Sequence, residues 1–364
     1  MNILFVTSKK NWGGVTSWMV RTTNGLEARG HQVFIVAARR SLFMQKAPKN
    51  LRVFPWKFGF DYNPITIFYI IYLIKKLRVN IVITNIEKEI ACGGVAAKLC
   101  KIPNIRRVGR HDDFNDAKAK IRFRHERLVT ASIAPCDAIF NEAIEHSAWL
   151  KKYPITTIYN GKNRVDFSDD EIIRQRAQWN VDSQTIVIGI TGRLENEKRV
   201  DMAIEAFTIS VKNINANTRL IIVGSGKNES ALKELALKLG IIDIVYFAGF
   251  TSNPMLAASA YDIALCVSDC EGFPNTIVEY MAQGRAVIAT NAGGVNEIII
   301  EGKNGFLINK GDVNALSEKI ALLANDSALR KNLGTAAQKH IEEKFNETIM
   351  IDRLEIFLSN FLVV

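Results

Sequence analysis

The sequence has few cysteines, few prolines and no long apolar run, and each scarcity excludes a class of protein. Its 364 residues include five cysteines, an odd number without a Cys-x-x-Cys pair, which gives neither a disulfide framework nor a cysteine zinc site. The longest apolar stretch, residues 65–74, is about half of the ~20 residues that cross a bilayer, so a multi-span membrane protein is excluded. Eight prolines and 23 glycines are too few for a fibrous or low-complexity chain.

The amino terminus also lacks a basic residue ahead of its first apolar run. Residues 2–7 are therefore predicted to form a strand and not a secretion signal, which together with the reduced cysteines favours a cytoplasmic location. A length of 364 residues predicts about two domains.

Positive charge is concentrated in the amino-terminal half. Residues 1–160 hold 26 Lys and Arg against 11 Asp and Glu, whereas residues 161–364 hold 21 against 26. This asymmetry favours contact of the first half with an anionic membrane surface, a nucleic acid or a phosphorylated substrate. A merely solvated basic surface is the alternative.

Short β-branched runs alternate with helical patterns along the whole chain, which is typical of parallel sheets with crossover helices. The polar stretch at 159–163 interrupts the rhythm and predicts a domain junction there. The predicted fold is α/β, with two doubly wound Rossmann-like domains facing each other across a cleft, at residues 1–160 and 161–345. A carboxyl-terminal helix at about 346–364 is expected to pack back on the first domain. Strands are predicted at 2–7, 32–38, 80–84, 104–109, 137–140, 155–158, 185–191, 219–223, 244–247, 262–266 and 286–290.

Ligands of such sheets bind at the carboxyl ends of the strands, so the strand-to-helix loops are the candidate sites. The first loop ends in Gly13 and Gly14 ahead of a helix, where backbone N–H groups and the helix amino terminus favour an anion. It has neither dinucleotide-binding nor P-loop spacing, and a plain tight turn is the alternative.

Arg193 and Lys198 follow a predicted buried strand, where a guanidinium fork and an ammonium could clamp a diphosphate. A solvated cluster of Glu–Lys pairs is the alternative.

The most specific segment is residues 267–280, which contains Glu271 in a loop and Glu279 on the following helix. Amides of Phe273, Asn275 and Thr276 at the helix start could bind an anion or a sugar hydroxyl, and each carboxylate can accept hydroxyl hydrogen bonds from a polyol. A capping acid followed by a solvated glutamate is the alternative.

Taken in order, these segments resemble the family-four retaining nucleotide-sugar glycosyltransferases of the GT-B fold, and the resemblance covers most of the chain. The matching pieces are Gly13-Gly14, Gly25-Leu26-x-x-x-Gly30-His31, Gly192-Arg193-Leu194 with Glu197-Lys198, Val223-Gly224-Ser225-Gly226, Phe247-x-Gly249, Glu271-Gly272-Phe273-Pro274 with Glu279, and Ala292-Gly293-Gly294-Val295-x-Glu297.

The resemblance implies transfer of a sugar from a nucleoside diphosphate to an acceptor hydroxyl with retained configuration. The resemblance implies that Arg193 and Lys198 bind the donor diphosphate, that Glu271 binds the sugar hydroxyls and that Glu279 binds the ribose. It implies that the amides of 273–276 bind the sugar and phosphate and that Gly14 supports the phosphate. It also implies that His111 lies close to the reacting sugar. Base contacts are expected near Gly224, Phe250 and Thr251. The catalytic set implied is therefore His111, Glu271, Arg193 and Lys198, and the donor set includes Gly13, Gly272, Phe273, Pro274, Asn275 and Thr276.

Two departures from the family pattern stand out. Pro274 replaces a frequent glycine and removes one backbone donor, and the usual proline before Asn160-Gly161 is missing. No metal cofactor is expected, because Asp112-Asp113 and Asp169-Asp170 lack Asp-x-Asp spacing.

The acceptor is expected on the basic first domain, as a glycan or lipid-linked molecule of bacterial surface-glycan synthesis. A basic segment with interleaved apolar residues is predicted to contact an anionic inner-membrane surface or the acceptor. Its cations are Lys118, Lys120, Arg122, Arg124 and Arg127. Residues 64–78 form an apolar helix with a basic end that is either a second such surface or an ordinary buried crossover helix.

Three other functions stay open at this stage. An epimerase or a phosphorylase could use the same fold, although the two cations and two glutamates disfavour the epimerase. A nucleic-acid-binding protein could use the basic half, but no nucleic-acid-binding motif is present and no nucleic-acid partner is expected.

Overall fold

The computed structural model describes residues 1–109 and 119–362, and the chain divides into two compact units. The first unit comprises Met1–Asn160 and Glu347–Val364, and the second comprises Gly161–Asn346. Each unit is an α/β sheet with its own helices and is described separately.

The first unit contains a parallel sheet in the strand order β3-β2-β1-β4-β5-β6-β7. The strands are β1 (Asn2–Thr7), β2 (Gln32–Ala38), β3 (Val53–Trp56), β4 (Ile81–Thr84), β5 (Asn104–Arg107), β6 (Ala131–Ala134) and β7 (Ile155–Thr157). Its helices up to the junction are α1 (Gly14–Glu27), α2 (Leu42–Lys46), α3 (Pro64–Lys76), α4 (Glu87–Glu89), α5 (Val95–Leu99), α6 (Ala119–Leu128) and α7 (Asp137–His146). The order of the strands reverses between β1 and β4, which makes that pair the topological switch point.

The second unit repeats this plan in the order β10-β9-β8-β11-β12-β13. The strands are β8 (Ile186–Thr191), β9 (Thr218–Val223), β10 (Val245–Gly249), β11 (Ile263–Cys266), β12 (Ala286–Thr290) and β13 (Phe306–Ile308). The helices are α8 (Asp169–Gln178), α9 (Val200–Ser210), α10 (Glu229–Lys238), α11 (Pro254–Ser259), α12 (Asn275–Ala282), α13 (Val313–Asn325) and α14 (Ser327–Lys344). Here the switch point lies between β8 and β11.

The last helix, α15 (Glu347–Ser359), belongs to the first unit and packs on α1. Its apolar face, with Ile351 and Leu354, is buried in the core beside β1 and β2. On the polar side Arg29 pairs with Asp352 and Glu355. Burial of this apolar face holds α15 on the first unit, although the rest of that unit lies before Gly161 in the sequence.

The central strands are almost continuously apolar because parallel sheets are covered by helices on both faces. In β1 every residue after Asn2 is buried. One face of this sheet packs against α1 and α15, and the opposite face packs against α3 and α5. The parallel, doubly wound α/β class predicted from the sequence is confirmed.

Three details of the sequence prediction were wrong. The strand expected at 137–140 is β6, six residues earlier, and Asp137 begins α7, because the small Ala-Ser-Ile-Ala run carries little β propensity of its own. The edge strands β3 and β13 were missed, since β3 contains Pro55 and β13 has three residues.

Within the part of the chain that the structure describes, no helix combines the length and apolarity of a membrane span.

Candidate active site

The loops that follow β8 and β11 come together at the switch point of the second unit. The first loop ends in a short turn at Asn196–Lys198, and the second runs from 267 to the start of α12. The backbone N–H of Asp269 donates to the carbonyl of Glu197 at 3.0 Å, which ties the two loops together. Two segments far apart in sequence therefore share one edge of the sheet.

Lys198 and Glu271 form the central ion pair of this edge. The Lys198 Nζ lies 2.6 Å from Glu271 Oε1, and both side chains are largely buried. The Ser268 hydroxyl donates to the same oxygen at 2.6 Å. Burial lowers the pKa of Lys198, but the charge of Glu271 and its hydrogen bond outweigh burial and hold that pKa above its usual value. The ammonium is therefore charged and aimed at the carboxylate.

Arg193 lies on the same loop but takes a different partner. Its side chain is 67% exposed and pairs with Glu197 instead of joining the Lys198 pair. A surface pair of this kind contributes little to folding, so the guanidinium is available to an incoming anion at small cost.

Glu279 lies in the middle of α12 and is buried against a lysine that sequence reasoning missed. Lys162 Nζ is 2.9 Å from the Glu279 carboxylate. Lys162 directly follows Gly161 at the start of the unit, and nothing in a single sequence pairs it with a glutamate on a distant helix. The structure thus places Glu271 and Glu279 each beside a lysine ammonium.

Two glycines make the close backbone approaches that this edge requires. Gly293 has φ +56°, and a Cβ there would lie 1.8 Å from the carbonyl oxygen of Glu271. Gly224 has φ +147°, and a Cβ there would lie 1.8 Å from the carbonyl oxygen of Gly192. The N–H of Gly294 donates to the Gly272 carbonyl at 3.0 Å, which holds the turn after Glu271 in place.

Of the remaining predicted donor residues, those at 273–276 lie at the start of α12 and Phe250 lies in the separate loop after β10. Phe273 is buried with its ring 5.9 Å from that of Phe345, so its side chain packs inside the unit and only its backbone can serve a ligand. Pro274 caps α12, which begins at Asn275 and continues through Thr276. Phe250 follows β10, is 63% exposed, and lines a cavity of about 150 Å³ together with Trp179, Tyr246 and Thr251.

In the first unit, a buried glutamate joins the loops at the switch point between β1 and β4. Glu89 accepts hydrogen bonds from the backbone N–H groups of Ser8 at 2.7 Å, Asn85 at 2.9 Å and Ile86 at 3.1 Å. Burial raises the pKa of Glu89, and these hydrogen bonds act against that rise. No sequence motif pointed to this residue.

Gly13 and Gly14 lie beyond this junction, at the start of α1. Gly13 has extended backbone and donates its N–H to Thr16 Oγ1 at 2.8 Å, and α1 begins at Gly14. A Cβ at Gly13 would meet nothing within 4 Å, so open space and not backbone strain distinguishes this position.

The predicted basic surface on α6 needs a correction at Arg124. That side chain is 2% exposed and binds Asp61 at 2.6 Å and Glu87 at 3.3 Å, so it belongs to the interior of the first unit. Lys120 is exposed, with Asp61 at 3.4 Å, and Arg122 pairs with Glu126 at 2.9 Å. Arg127 is exposed over the ring of Phe123.

Two predicted residues, His111 and Lys118, lie outside the described residues, as do Asp112 and Asp113. Asp169 and Asp170 form the first turn of α8 behind the cap of Ser168, which is the position of helix-capping acids. Within 1–109 and 119–362 there is no cluster of three or more His, Cys, Asp or Glu side chains arranged to hold a metal ion.

Solved structures confirm the fold. Anabaena HepE, solved with UDP and glucose, superimposes with a TM-score of 0.81 at 22% identity and covers 99% of this chain and 100% of its own. A glycosyltransferase from Rickettsia africae superimposes with a TM-score of 0.84 at 20% identity, covering 99% of this chain and 98% of its own. At this level of identity, the likeness shows the GT-B fold alone.

Curated relatives match part of the chain. The Bacillus anthracis N-acetyl-alpha-D-glucosaminyl L-malate synthase is 30% identical over 66% of this chain and 62% of its own length. The Staphylococcus aureus capsular polysaccharide biosynthesis glycosyltransferase CapM is 28% identical over 61% of this chain and 60% of its own. The chain thus spans less than two thirds of the length of these relatives.

Family models match both units. The model for glycosyltransferase family 4 matches residues 12–164, and the model for glycosyl transferases group 1 matches residues 171–340. Together they cover most of the chain in the order that the sequence motifs predicted. The protein is therefore a family-4-like glycosyltransferase of the GT-B fold.

Proposed function

We propose that this protein transfers a sugar from a nucleoside diphosphate sugar to a hydroxyl of a glycan or lipid-linked acceptor, with the anomeric configuration retained. The observation that carries the proposal is the Lys198–Glu271 pair at the switch point of the second unit. The Lys198 ammonium, which can bind a diphosphate, lies 2.6 Å from the Glu271 carboxylate, which can accept hydrogen bonds from sugar hydroxyls. HepE, which shares this fold, was solved with UDP and with UDP-glucose, so UDP is the first nucleotide to test as the donor.

The donor diphosphate replaces Glu271 as the partner of Lys198. In the structure each charge neutralises the other, which avoids the cost of an unpaired charge in a largely buried place. When the diphosphate binds Lys198 and Arg193, the Glu271 carboxylate is released to accept hydrogen bonds from the sugar. Glu279 then binds the ribose, and the amides of 273–276 bind the sugar and phosphate.

The cations act most strongly in the transition state. Negative charge grows on the diphosphate as the bond to the sugar breaks, so preset positive groups lower the barrier more than they stabilise the bound donor. Arg193 and Lys198 supply these charges without a metal ion, and we propose that none is required. His111 is proposed to lie close to the reacting sugar, and Gly13 and Gly14 to support the phosphate.

The acceptor is proposed to bind the first unit, at the surface of an anionic inner membrane. The excess of Lys and Arg in residues 1–160 supports contact with a phosphorylated or lipid-linked molecule. The relative named for capsular polysaccharide biosynthesis supports a surface glycan as the product.

A thermal-shift panel tests the donor assignment. UDP, GDP, ADP and their sugars are added to the parent, to Glu279→Ala and Arg193→Ala, and to the control Lys227→Ala, an exposed lysine paired with Glu195. We expect one diphosphate to stabilise the parent, by about 2.7 kcal/mol at a hundredfold excess over Kd, and to stabilise the two site variants less. Equal responses in all variants would contradict the assignment.

A turnover assay tests the reaction itself. Nucleotide release that depends on an added acceptor is expected, which separates transfer from epimerisation and from phosphorolysis. Product NMR should show the donor's anomeric configuration, and chelation with EDTA should leave the rate unchanged. Release that needs no acceptor, an inverted product or loss of the rate in EDTA would contradict the respective part of the proposal.

A further inference from the structure

One side of α3 is buried and the opposite side is strongly apolar yet exposed. Ile70 and Leu73 pack into the core of the first unit. On the outer side, Ile65 is 69% exposed, Phe68 70% and Tyr72 53%. Their spacing of three and four residues places them in one stripe along the helix. The helix therefore carries large apolar side chains that the core of the first unit does not bury.

Neighbouring segments continue this apolar character. Phe60, in the loop that leads into α3, is exposed. Helix α5 packs beside α3 and ends in Leu99, whose side chain is exposed as well. A soluble protein rarely leaves a large apolar patch uncovered, and such patches mark surfaces that bind another molecule or a membrane.

Basic residues follow the stripe along the chain and lie at the end of the neighbouring helix α5. The stripe runs into the exposed Lys75 and Lys76, followed by Arg78, and residues 64–78 contain no Asp or Glu. Lys98 precedes Leu99 in the last turn of α5, and Lys101 follows the helix, again without an acid.

The nearest acid ahead of the helix does not offset these cations. Asp61 binds the buried Arg124 and also faces Lys120. Among the described residues along α3 and at the end of α5, positive charge is therefore in excess.

We propose that the outer face of α3 docks on an anionic lipid bilayer. In this arrangement Ile65, Phe68 and Tyr72 enter the boundary between headgroups and acyl chains, and Lys75 and Lys76 contact lipid phosphates. The inference rests on the peripheral membrane contact proposed above and names the surface responsible. It moves that contact from α6, where Arg124 is buried and Arg122 is paired with Glu126, to α3.

A bilayer fits this face better than a second copy of the chain does. A symmetric dimer through α3 would bring two sets of lysines to one interface with no acid from either side to pair with them. An anionic bilayer offers apolar depth below the stripe and negative charge at the level of the lysines.

The experiment measures binding of the full chain to vesicles by co-sedimentation. Vesicles of phosphatidylcholine with phosphatidylglycerol are compared with vesicles of phosphatidylcholine alone, at low and high salt. We expect the parent to bind the anionic vesicles and to bind less at high salt. Lys75→Gln/Lys76→Gln should bind about 25-fold more weakly, from roughly fivefold for each surface charge removed. Ile65→Ser/Phe68→Ser should bind at least about tenfold more weakly.

Matched variants separate this surface from others. Leu237→Ser/Ile356→Ser removes two equally exposed apolar side chains, and Lys212→Gln/Lys238→Gln removes two exposed charges of the second unit. Both should bind vesicles like the parent. All variants should keep the parent's thermal shift with UDP, so a failure of the donor proposal is seen independently.

Three outcomes would overturn the inference. If the parent does not bind anionic vesicles, both the surface and the peripheral contact are wrong. If the parent binds and the α3 variants bind equally well, the surface is wrong and the contact lies elsewhere. If sedimentation velocity shows a parent dimer that Ile65→Ser/Phe68→Ser converts to a monomer, the face is an interface between copies.

Discussion

The Lys162 ammonium lies 2.9 Å from the Glu279 carboxylate, with the two side chains 16% and 10% exposed. The backbone N–H of Lys162 donates to the Phe345 carbonyl at 2.8 Å, and Gln283, one turn after Glu279, donates to the Val165 carbonyl at 3.1 Å. The segment that opens the second unit is thus fixed along α12, and Lys162 is a positioning residue for the carboxylate proposed to bind the ribose.

Replacing Lys162 should therefore weaken donor binding more than turnover. Lys162→Met leaves the Glu279 carboxylate without its ion-pair partner, so we expect the free energy of unfolding to fall by about 1–3 kcal/mol. The donor KM should rise about tenfold, roughly 1.4 kcal/mol, with a smaller change in kcat. Urea unfolding and steady-state kinetics measure the two effects.

A double variant and a control complete this test. Lys162→Met/Glu279→Gln should regain most of the lost stability but keep the high KM, because the pair is removed together. Lys310→Met, an exposed lysine of the same unit, should change neither quantity. A large loss of kcat at unchanged KM would contradict a positioning role.

Lys198 should act mainly on the rate. Lys198→Ala removes a preset charge beside the leaving diphosphate, so we expect kcat to fall by about 10²–10³, roughly 3–4 kcal/mol. The comparison variant is Lys227→Ala, whose exposed pair with Glu195 should leave kcat within about twofold. Single-turnover kinetics at saturating donor make the measurement. A kcat close to that of the parent would rule out the proposed role.

Gly293 should be sensitive to the smallest side chain. Gly293→Ala forces a Cβ to 1.8 Å from the Glu271 carbonyl oxygen, in addition to the strain of φ +56°. Gly311→Ala has φ +77° with nothing within 4 Å of the added Cβ, so it carries the backbone strain alone. We expect about 1–2 kcal/mol of destabilisation for Gly311→Ala and about 1–3 kcal/mol more for Gly293→Ala. Only Gly293→Ala should also weaken the UDP-dependent thermal shift, and equal effects in both would show that the contact with Glu271 is unimportant.

His125 should make the first unit less stable in acid. Its imidazole is buried against the edges of the Trp149 and Tyr153 rings, and burial, with the charge of Arg106, lowers its pKa from 6.5 to about 3. The unfolded chain takes up a proton below about pH 6.5 and the folded chain does not, so stability is lost as the pH falls toward 3.

At about pH 5 this loss amounts to roughly 2 kcal/mol relative to neutral pH. In His125→Gln that part of the pH dependence should disappear, as urea unfolding at about pH 7.5 and about pH 5 would show. His146→Gln, on the exposed side of α7, controls for removal of an imidazole. An unchanged pH dependence in His125→Gln would contradict the buried neutral histidine.

The sequence alone determined the class of the fold and the identity of the loops. Apolar β-branched runs such as 186–191 have apolar side chains on both sides of the strand, and these are buried only in a sheet that helices cover on both faces. The alternation of such runs with helices therefore predicted parallel, doubly wound sheets. The sequence signal for a strand is weakest where the strand is short or made of small residues. For this reason the strands Ala131–Ala134 and Phe306–Ile308 were missed.

Only the tertiary structure decided which charges meet and which faces stay exposed. Lys198 and Glu271 are 73 residues apart and meet because β8 and β11 are neighbours across the switch point. Arg124 lies in a basic run but is buried against Asp61, whereas Phe68 lies in an apolar run but is exposed. Periodicity in a sequence reports that a helix has two faces, but the partner of each face is set by the packing of elements distant along the chain.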